Sequence, residues 1–184
     1  MTRAGDRRSN EILRPRLQRE CAPQFRSDLA ADRHTADRLG VREQRRAIAG
    51  LSREDLLAFP VPGTWSIQQI VIHLMDSELI GIDRMRRVIA EENPLLIGFD
   101  EKKFSQRLYY NENSPETAVT LVDLTRKEFA KVLRKLPGEA FARTGIHNEV
   151  GKVTLGELVQ KYVRHLEHHL KFIAEKRSKL GKPL

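Results

Sequence analysis

The segment TLGELVQKYVRHLEHHLKFI, Thr154 to Ile173, carries the two features that most constrain the fold. Thr154 and Glu157 form a T-x-x-E capping box, which is typical of a helix N-terminus. After Gly156 no glycine or proline occurs before Gly181, so the pattern predicts a helix that runs to about Leu180. The same segment holds three of the chain's six histidines within five residues. These histidines either pack, lie in solvent or bind a ligand.

The spacing of the histidines predicts which of them face the core. Residues four apart on an α-helix lie on one face, with Cβ atoms about 6 Å apart, so His165 and His169 can present their imidazoles to one ion. Apolar side chains lie on or beside the same stripe: Leu158, Tyr162, Leu166, Phe172 and Ile173. We therefore expect His165 and His169 to point inward and His168 to lie on the solvent side. Because burying an unpartnered polar group costs about 2–7 kcal/mol, the pair needs either a metal or hydrogen bonds within the bundle.

An earlier segment, TWSIQQIVIHLMDSELI, predicts a second helix with a histidine on its buried side. Ser66 and Gln69 form a capping box, and the helix is expected to run from Ile67 to Glu92, where Asn93-Pro94 ends it. The apolar stripe places His73 in the core and puts Asp76 one turn further along. Two helices of one core can then offer three nitrogen ligands, which leaves a catalytic metal site one open position.

The remaining chain predicts further helices and no confident sheet, which makes the fold class all-α. Helices are expected from Leu29 to Leu51, with Gly50 near the end, and from Pro115 to Leu136. Between and after them, the sequence predicts a short turn at Ser52–Leu57, a break at Pro60–Thr64, and a hairpin or loop within Ala142–Val153. Four long helices predict a four-helix bundle. The long connection from Leu95 to Asn113 allows a crossover instead of a simple up-down topology.

Composition limits the class of protein. With 184 residues, 40% hydrophobic and 32% charged, the chain fits one globular domain, and no apolar run reaches the ~20 residues that span a membrane. The Arg-rich leader, residues 1–26, lacks periodicity and an apolar signal region, so residues 27–184 are expected to form the bundle domain. The single cysteine, Cys21, excludes a disulfide framework and favours the cytoplasm. Much of the net charge of +8 lies at the two termini, which argues against nucleic-acid binding.

The chain resembles the DinB-like superfamily, most closely its YfiT-like branch of metal-dependent hydrolases, in an ordered series of motifs. These motifs are TWSIQQIVIHLMDSE, EENP, FDE and GKVTLGELVQKYVRHLEHHLKFI. The resemblance extends from about Gly50 to the C-terminus. It implies a four-helix bundle that binds zinc or nickel through His73, His165 and His169. It also implies a homodimer, and it extends to S-transferases that use bacillithiol or mycothiol and to a maleylpyruvate isomerase that uses glutathione or mycothiol.

Three functions remain open from the sequence. A divalent ion held by the three histidines can activate water for hydrolysis of a small molecule, with Asp76 either orienting a ligand histidine or acting as a base. The alternative for Asp76 is an ion pair with Arg84 or Arg164. Thiol transfer is a second function, for which a rim of Arg84, Arg86, Arg87 and Arg164 would suit an anionic thiol. A non-catalytic, metal-stabilised bundle is the third.

Four other residues have interpretations that require no role at the site. Trp65 occupies the staple position before the helix cap, although it can also line a cavity mouth. Tyr162 is expected in the core. His147 and His34 are expected to be exposed, although His147 can approach the open face of the site as an extra acid or ligand.

Overall fold

A computed structural model describes residues 39–184 of the chain, with side chains from residue 42. The helices are α1 (Leu39–Ile48), α2 (Arg53–Leu57), α3 (Ile67–Ala90), α4 (Glu101–Arg107), α5 (Pro115–Lys135) and α6 (Leu155–Lys179). The strands are β1 (Leu95–Leu96), β2 (Thr144–His147) and β3 (Gly151–Thr154), and a 3-10 helix spans Gly138–Ala142. None of the described helices is long and apolar enough to cross a lipid bilayer.

The helices begin where their caps predict. Ser66 accepts a hydrogen bond from the backbone N–H of Gln69 while the Gln69 side chain accepts one from the backbone N–H of Ser66, both at 3.1 Å. Thr154 and Glu157 form the same reciprocal pair at the start of α6. Each pair satisfies backbone donors that a helix terminus leaves free, so these two caps fix the helices that carry the histidines.

The four longest described helices form a bundle in which α3 packs between α5 and α6, and α1 packs between the same two helices. The consecutive helices α5 and α6 therefore lie at opposite corners, so the chain crosses the bundle between them. This arrangement confirms the predicted four-helix bundle. A crossover is present, but it follows α5 and does not lie in the connection from Leu95 to Asn113, because that connection joins the neighbouring helices α3 and α5. The amphipathic stripes of α3 and α6 meet in a core that includes Ile67, Val71, Leu166 and Ile173.

A small three-stranded sheet closes one end of the bundle. Strands β2 and β3 pair antiparallel, as the predicted hairpin requires, and β1 pairs parallel to β2, with Leu95 opposite Ile146. The connection from Leu95 to Asn113 is more ordered than predicted, because it contains β1 and α4. A two-residue strand carries no periodicity of its own and gains its hydrogen bonds from a partner about 50 residues away, so local patterns do not reveal it.

The first predicted helix lies only partly within the described residues. Helix α1 covers Leu39–Ile48, and Gly50 follows it with a positive φ of 71°, as expected for a glycine that ends a helix. The predicted positions 29–38, the leader at 1–26 and His34 lie outside the described residues. Arg177 of α6 donates to the carbonyl oxygens of Ala47 and Ala49, which satisfies acceptors at the end of α1.

Candidate metal centre

The three histidines predicted to face the core converge on one point between α3 and α6. The Nε2 atom of His165 lies 3.2 Å from Nε2 of His73 and 3.1 Å from Nε2 of His169. Ligand atoms of all three side chains lie within 4.8 Å of one another. His73 is fully buried, whereas His165 and His169 are partly buried. The i, i+4 spacing on α6 and the capped start of α3 thus place three imidazoles around a common centre.

This arrangement fits a transition ion better than a hydrogen-bonded cluster. A tetrahedral ion with metal–nitrogen bonds of about 2.0–2.1 Å holds its nitrogen ligands about 3.3 Å apart, which matches the separations of 3.2 and 3.1 Å around His165. Hydrogen bonds alone serve the cluster poorly, because each ring nitrogen of a neutral imidazole either donates or accepts one hydrogen bond, whereas Nε2 of His165 faces two other Nε2 atoms. The donor set, three imidazoles, suits zinc, copper, iron or nickel and not magnesium or calcium.

The environment keeps the imidazoles neutral, which metal binding requires. The pKa of His73 is lowered to about 3, mainly by burial and also by positive charge on the neighbouring His169 and His165. Burial also lowers the pKa of His165 to about 4, with Lys161 as the next cause. For His169 the pKa falls to about 3, again mainly through burial. Near neutral pH all three rings therefore keep a lone pair that can bind a cation.

Aromatic rings surround the histidine cluster on the α3 side. The Trp65 ring centroid lies 4.8 Å from that of His73, and the Phe99 centroid lies 6.4 Å from it. Trp65 therefore contacts the site in addition to occupying its staple position before α3. The Ser77 hydroxyl, one helical turn after His73, lies 3.4 Å from Nε2 of His73. The aromatic rings of Trp65 and Phe99 give the site an apolar wall, which favours exclusion of water from the centre.

The other histidines lie outside the cluster. His168 is exposed, as predicted, and its ring packs edge-on against Phe172 at a centroid distance of 4.6 Å. Phe172 is itself 41% exposed, so it lies beside the inward stripe and not on it. The expectation that His147 is exposed is also wrong, since only 5% of it is accessible. The pairing of β2 with both β1 and β3 buries it, which the loop-like sequence did not reveal.

Asp76 has a partner that the sequence did not suggest. Its Oδ2 accepts a hydrogen bond of 2.5 Å from the Tyr110 hydroxyl. Burial raises the pKa of Asp76, and the hydrogen bond from Tyr110 opposes that rise. The two arginines weighed as ion-pair partners are engaged elsewhere. Arg84 is buried and donates to the Tyr162 hydroxyl at 2.9 Å and to the Ile97 carbonyl, and Arg164 donates to Gln160 at 3.4 Å.

The four arginines expected to form a rim do not share one surface. Arg84 is buried within the fold, whereas Arg87 is exposed and pairs with Asp83 at 2.8 Å. Arg86 and Arg164 are also exposed. Lys161 does share the face of the ligand histidines, because it lies one turn before His165 on α6. Its charge reaches the cluster, as the lowered pKa of His165 indicates.

The sequence interpretation missed two residues, Tyr110 and Phe99, whose side chains lie against Asp76 and His73 respectively. Tyr110 lies 34 positions from Asp76 in the chain, inside a connection with no clear pattern. Phe99 belongs to the same connection, and its ring centroid lies 6.4 Å from that of His73. The run of aromatic residues in this connection, Phe99, Phe104, Tyr109 and Tyr110, was an available signal that the segment returns to the core.

Together, the bundle and the cluster define a class of protein: helical bundles with an all-histidine candidate metal centre between two helices. The family model of the DinB superfamily matches residues 38–173. The chain belongs to this superfamily, which confirms the resemblance noted in its motifs.

Individual relatives agree with the family match. A protein of Oceanobacillus iheyensis, named as a candidate metal-dependent hydrolase, is 31% identical over 130 residues, which cover 70% of this chain and 74% of that protein. YfiT of Bacillus subtilis, named in the same way, is 28% identical over 120 residues, 65% of this chain and 67% of YfiT.

Solved structures show the same fold. The structure of Bacillus subtilis YfiT, described as having an unusual four-helix bundle topology, matches with a TM-score of 0.79 at 24% identity, covering 89% of this chain and 92% of YfiT. A mycothiol-dependent maleylpyruvate isomerase matches with a TM-score of 0.61 at 16% identity, covering 80% of this chain and 61% of that protein. At these identities the likeness concerns the fold.

Proposed function

We propose that the protein is a metal-dependent hydrolase that holds one divalent transition ion through His73, His165 and His169. The convergence of three neutral Nε2 atoms, with separations of 3.1 and 3.2 Å around His165, carries this proposal. The names of the relatives, which describe candidate metal-dependent hydrolases, support it. Zinc or nickel is the ion we expect, because imidazole nitrogens suit these borderline ions.

The side chains around the centre have separate roles in the proposed reaction. When bound, a divalent ion lowers the pKa of water to about 7 and polarises a carbonyl of the substrate. The three imidazoles bind the ion in their neutral form. Asp76 accepts a proton from the attacking water through its free oxygen. Trp65 and Phe99 limit access of bulk water to the centre, since their rings pack around His73.

Hydrolysis of small esters and amides tests the proposal. Protein stripped with a chelator and reloaded with zinc or nickel should hydrolyse members of such a panel, and the stripped protein should not. Asp76→Asn should lower kcat while the ion stays bound, because asparagine keeps the shape but cannot take the proton. Activity that survives complete removal of the metal would contradict the proposal.

Thiol transfer is the alternative, and a second arm of the same experiment separates it from hydrolysis. Metal-loaded protein is incubated with a low-molecular-weight thiol and an electrophile, and the thioether product is measured. Thiol transfer without any hydrolysis would replace the proposed reaction and keep the metal site. A full ion with neither reaction would favour the non-catalytic bundle.

Assembly and location stay predictions. The homodimer follows from the resemblance to the family, and sedimentation at several protein concentrations would test it. A cytoplasmic location follows from the single cysteine, Cys21.

A further inference from the structure

Tyr110 is a buried tyrosine whose hydroxyl donates a hydrogen bond to Asp76, which lies about one helical turn after the candidate ligand His73. Its side chain is 1% exposed and packs in the same core cluster as Ile70 and Leu166. The hydroxyl donates to Oδ2 of Asp76 at 2.5 Å. This is a short distance for a hydrogen bond to a carboxylate, in the range where such bonds are strongest.

The backbone around Tyr110 is held in place by the same helix that carries the site. Gln68 of α3 is 1% exposed, and its Nε2 donates to the carbonyl oxygen of Tyr110 at 2.9 Å and to that of Asn113 at 3.1 Å. The Asn113 side chain in turn donates to the carbonyl oxygen of Leu108 at 2.8 Å. Gln68 and Asp76 are eight residues apart, about two turns of one helix face. Helix α3 therefore fixes both ends of the Tyr110 residue, its carbonyl through Gln68 and its hydroxyl through Asp76.

The contact leaves half of the carboxylate free. Oδ2 of Asp76 is occupied by Tyr110, whereas Oδ1 has no hydrogen-bond partner among the described residues. Asp76 lies three residues after His73, so both side chains extend from the same side of α3. A role in stability alone would not require a charge here, because an apolar pair of similar shape can be as stable as a buried hydrogen bond.

We infer that Tyr110 is a positioning residue: its hydroxyl holds the Asp76 carboxylate by Oδ2 so that Oδ1 can accept the proton of the attacking water. This inference rests on the proposed hydrolase function. The hydroxyl proton stays on Tyr110, since burial and the neighbouring carboxylate raise the tyrosine pKa above its ordinary value. Glu101 on α4 is the other charged group whose charge acts on Tyr110, and it raises the tyrosine pKa in the same direction.

Tyr110→Phe tests the inference with a matched control in the adjacent residue. The substitution removes one oxygen and keeps the ring, whereas Tyr109→Phe removes the same oxygen from a side chain that is 67% exposed. In the metal-loaded protein we expect Tyr110→Phe to lower kcat by about 10- to 100-fold, the size of effect that partners of metal-site residues show, with little change in KM. The metal content should stay at the wild-type value. Tyr109→Phe should behave as wild type.

The acid limb of the pH profile should move as well. The hydrogen bond from Tyr110 lowers the pKa of Asp76, so its loss should shift the acid limb of kcat to higher pH. The same shift should occur without any reaction: in metal-free protein labelled with ¹³C-aspartate, the NMR titration midpoint of Asp76 should rise in Tyr110→Phe and stay unchanged in Tyr109→Phe. Should Tyr110→Phe fail to fold, 3-fluorotyrosine at position 110 keeps the ring and strengthens the donor, and it should lower that midpoint.

The outcomes separate this inference from the function on which it rests. An unchanged Asp76 midpoint together with an unchanged kcat in Tyr110→Phe would overturn the role of Tyr110 and leave the hydrolase intact. Equal losses of kcat in Tyr110→Phe and Tyr109→Phe would overturn it too. Metal-loaded wild-type protein without hydrolytic activity would instead contradict the proposed function, and with it the base role of Asp76.

Discussion

Replacing His169 by alanine should remove most of the protein's affinity for a divalent ion, whereas the same change at His168 should not. The two residues are adjacent, but successive residues on an α-helix diverge by about 100°, so their side chains face different surroundings. Nε2 of His169 lies 3.1 Å from Nε2 of His165 in the cluster. His168 is exposed and stacks edge-on against Phe172, so His168→Ala removes an imidazole from outside the cluster.

The size of the effect follows from linkage between binding and folding. An ion present at about 100 times its dissociation constant stabilises the folded state by about 2.7 kcal/mol. For a domain of about 150–250 residues, each kcal/mol raises Tm by about 2–4 °C. The wild-type protein and His168→Ala should therefore gain roughly 5–11 °C when the ion is added. His169→Ala should gain less than about 2 °C, because two nitrogens cannot complete the three-nitrogen site.

Thermal unfolding and metal titration of each purified variant give the comparison. A pH of about 7.5 is suitable, because it lies about one unit above the unperturbed histidine pKa of about 6.5 and leaves free imidazoles able to bind. Circular dichroism of the metal-free variants provides the control for folding. If both variants lose the metal-dependent rise in Tm equally, or if His169→Ala keeps the full rise in Tm, the ligand pair on α6 is not His165 and His169.

Three further predictions concern stability. Glu78→Gln should lower the free energy of unfolding by about 3–5 kcal/mol, since it leaves Arg126 without the carboxylate that lies 2.6 Å away in a largely buried ion pair. Urea unfolding measures this change, and a decrease of less than about 1 kcal/mol would contradict the prediction. The metal-free protein should lose stability as the pH falls below about 6.5, because His73 then binds a proton in the unfolded chain but not in the fold, where its pKa is about 3. For this residue the free energy of unfolding falls by about 2 kcal/mol at pH 5. Stability that stays constant between pH 7 and 5 would contradict the burial of a neutral His73. Deletion of residues 1–26 should leave Tm unchanged, and an unfolded product would show that the leader belongs to the domain.

Much of the fold was predictable because its signals are local. The capping pairs Ser66–Gln69 and Thr154–Glu157 mark two helix starts within four residues each, and both helices begin where these pairs predict. The inward face of α6 follows from the 3.6-residue period, which brings the histidine pair toward His73. The motifs identified the superfamily, and the family match confirms it.

What the sequence did not reveal depends on contacts between distant residues. The parallel pairing of Leu96 with His147 buries that histidine, and neither segment shows a pattern that announces the pairing. Tyr110 reaches Asp76 from the turn that follows α4, where Gln68 donates a hydrogen bond to the Tyr110 carbonyl oxygen. Such contacts arise from the packing of the whole chain, so a residue's local neighbours give no indication of its partner.

Elemental analysis of the protein, purified without a polyhistidine tag from metal-supplemented medium, shows whether the three histidines bind a metal ion. We expect one zinc, nickel or similar transition ion per chain in the wild-type protein and little metal in His73→Ala, because that change removes the ligand contributed by α3. The histidine spacing on α6 alone would then be insufficient to hold the ion. Folded wild-type protein that contains no transition metal would contradict the claim that His73, His165 and His169 form a metal site.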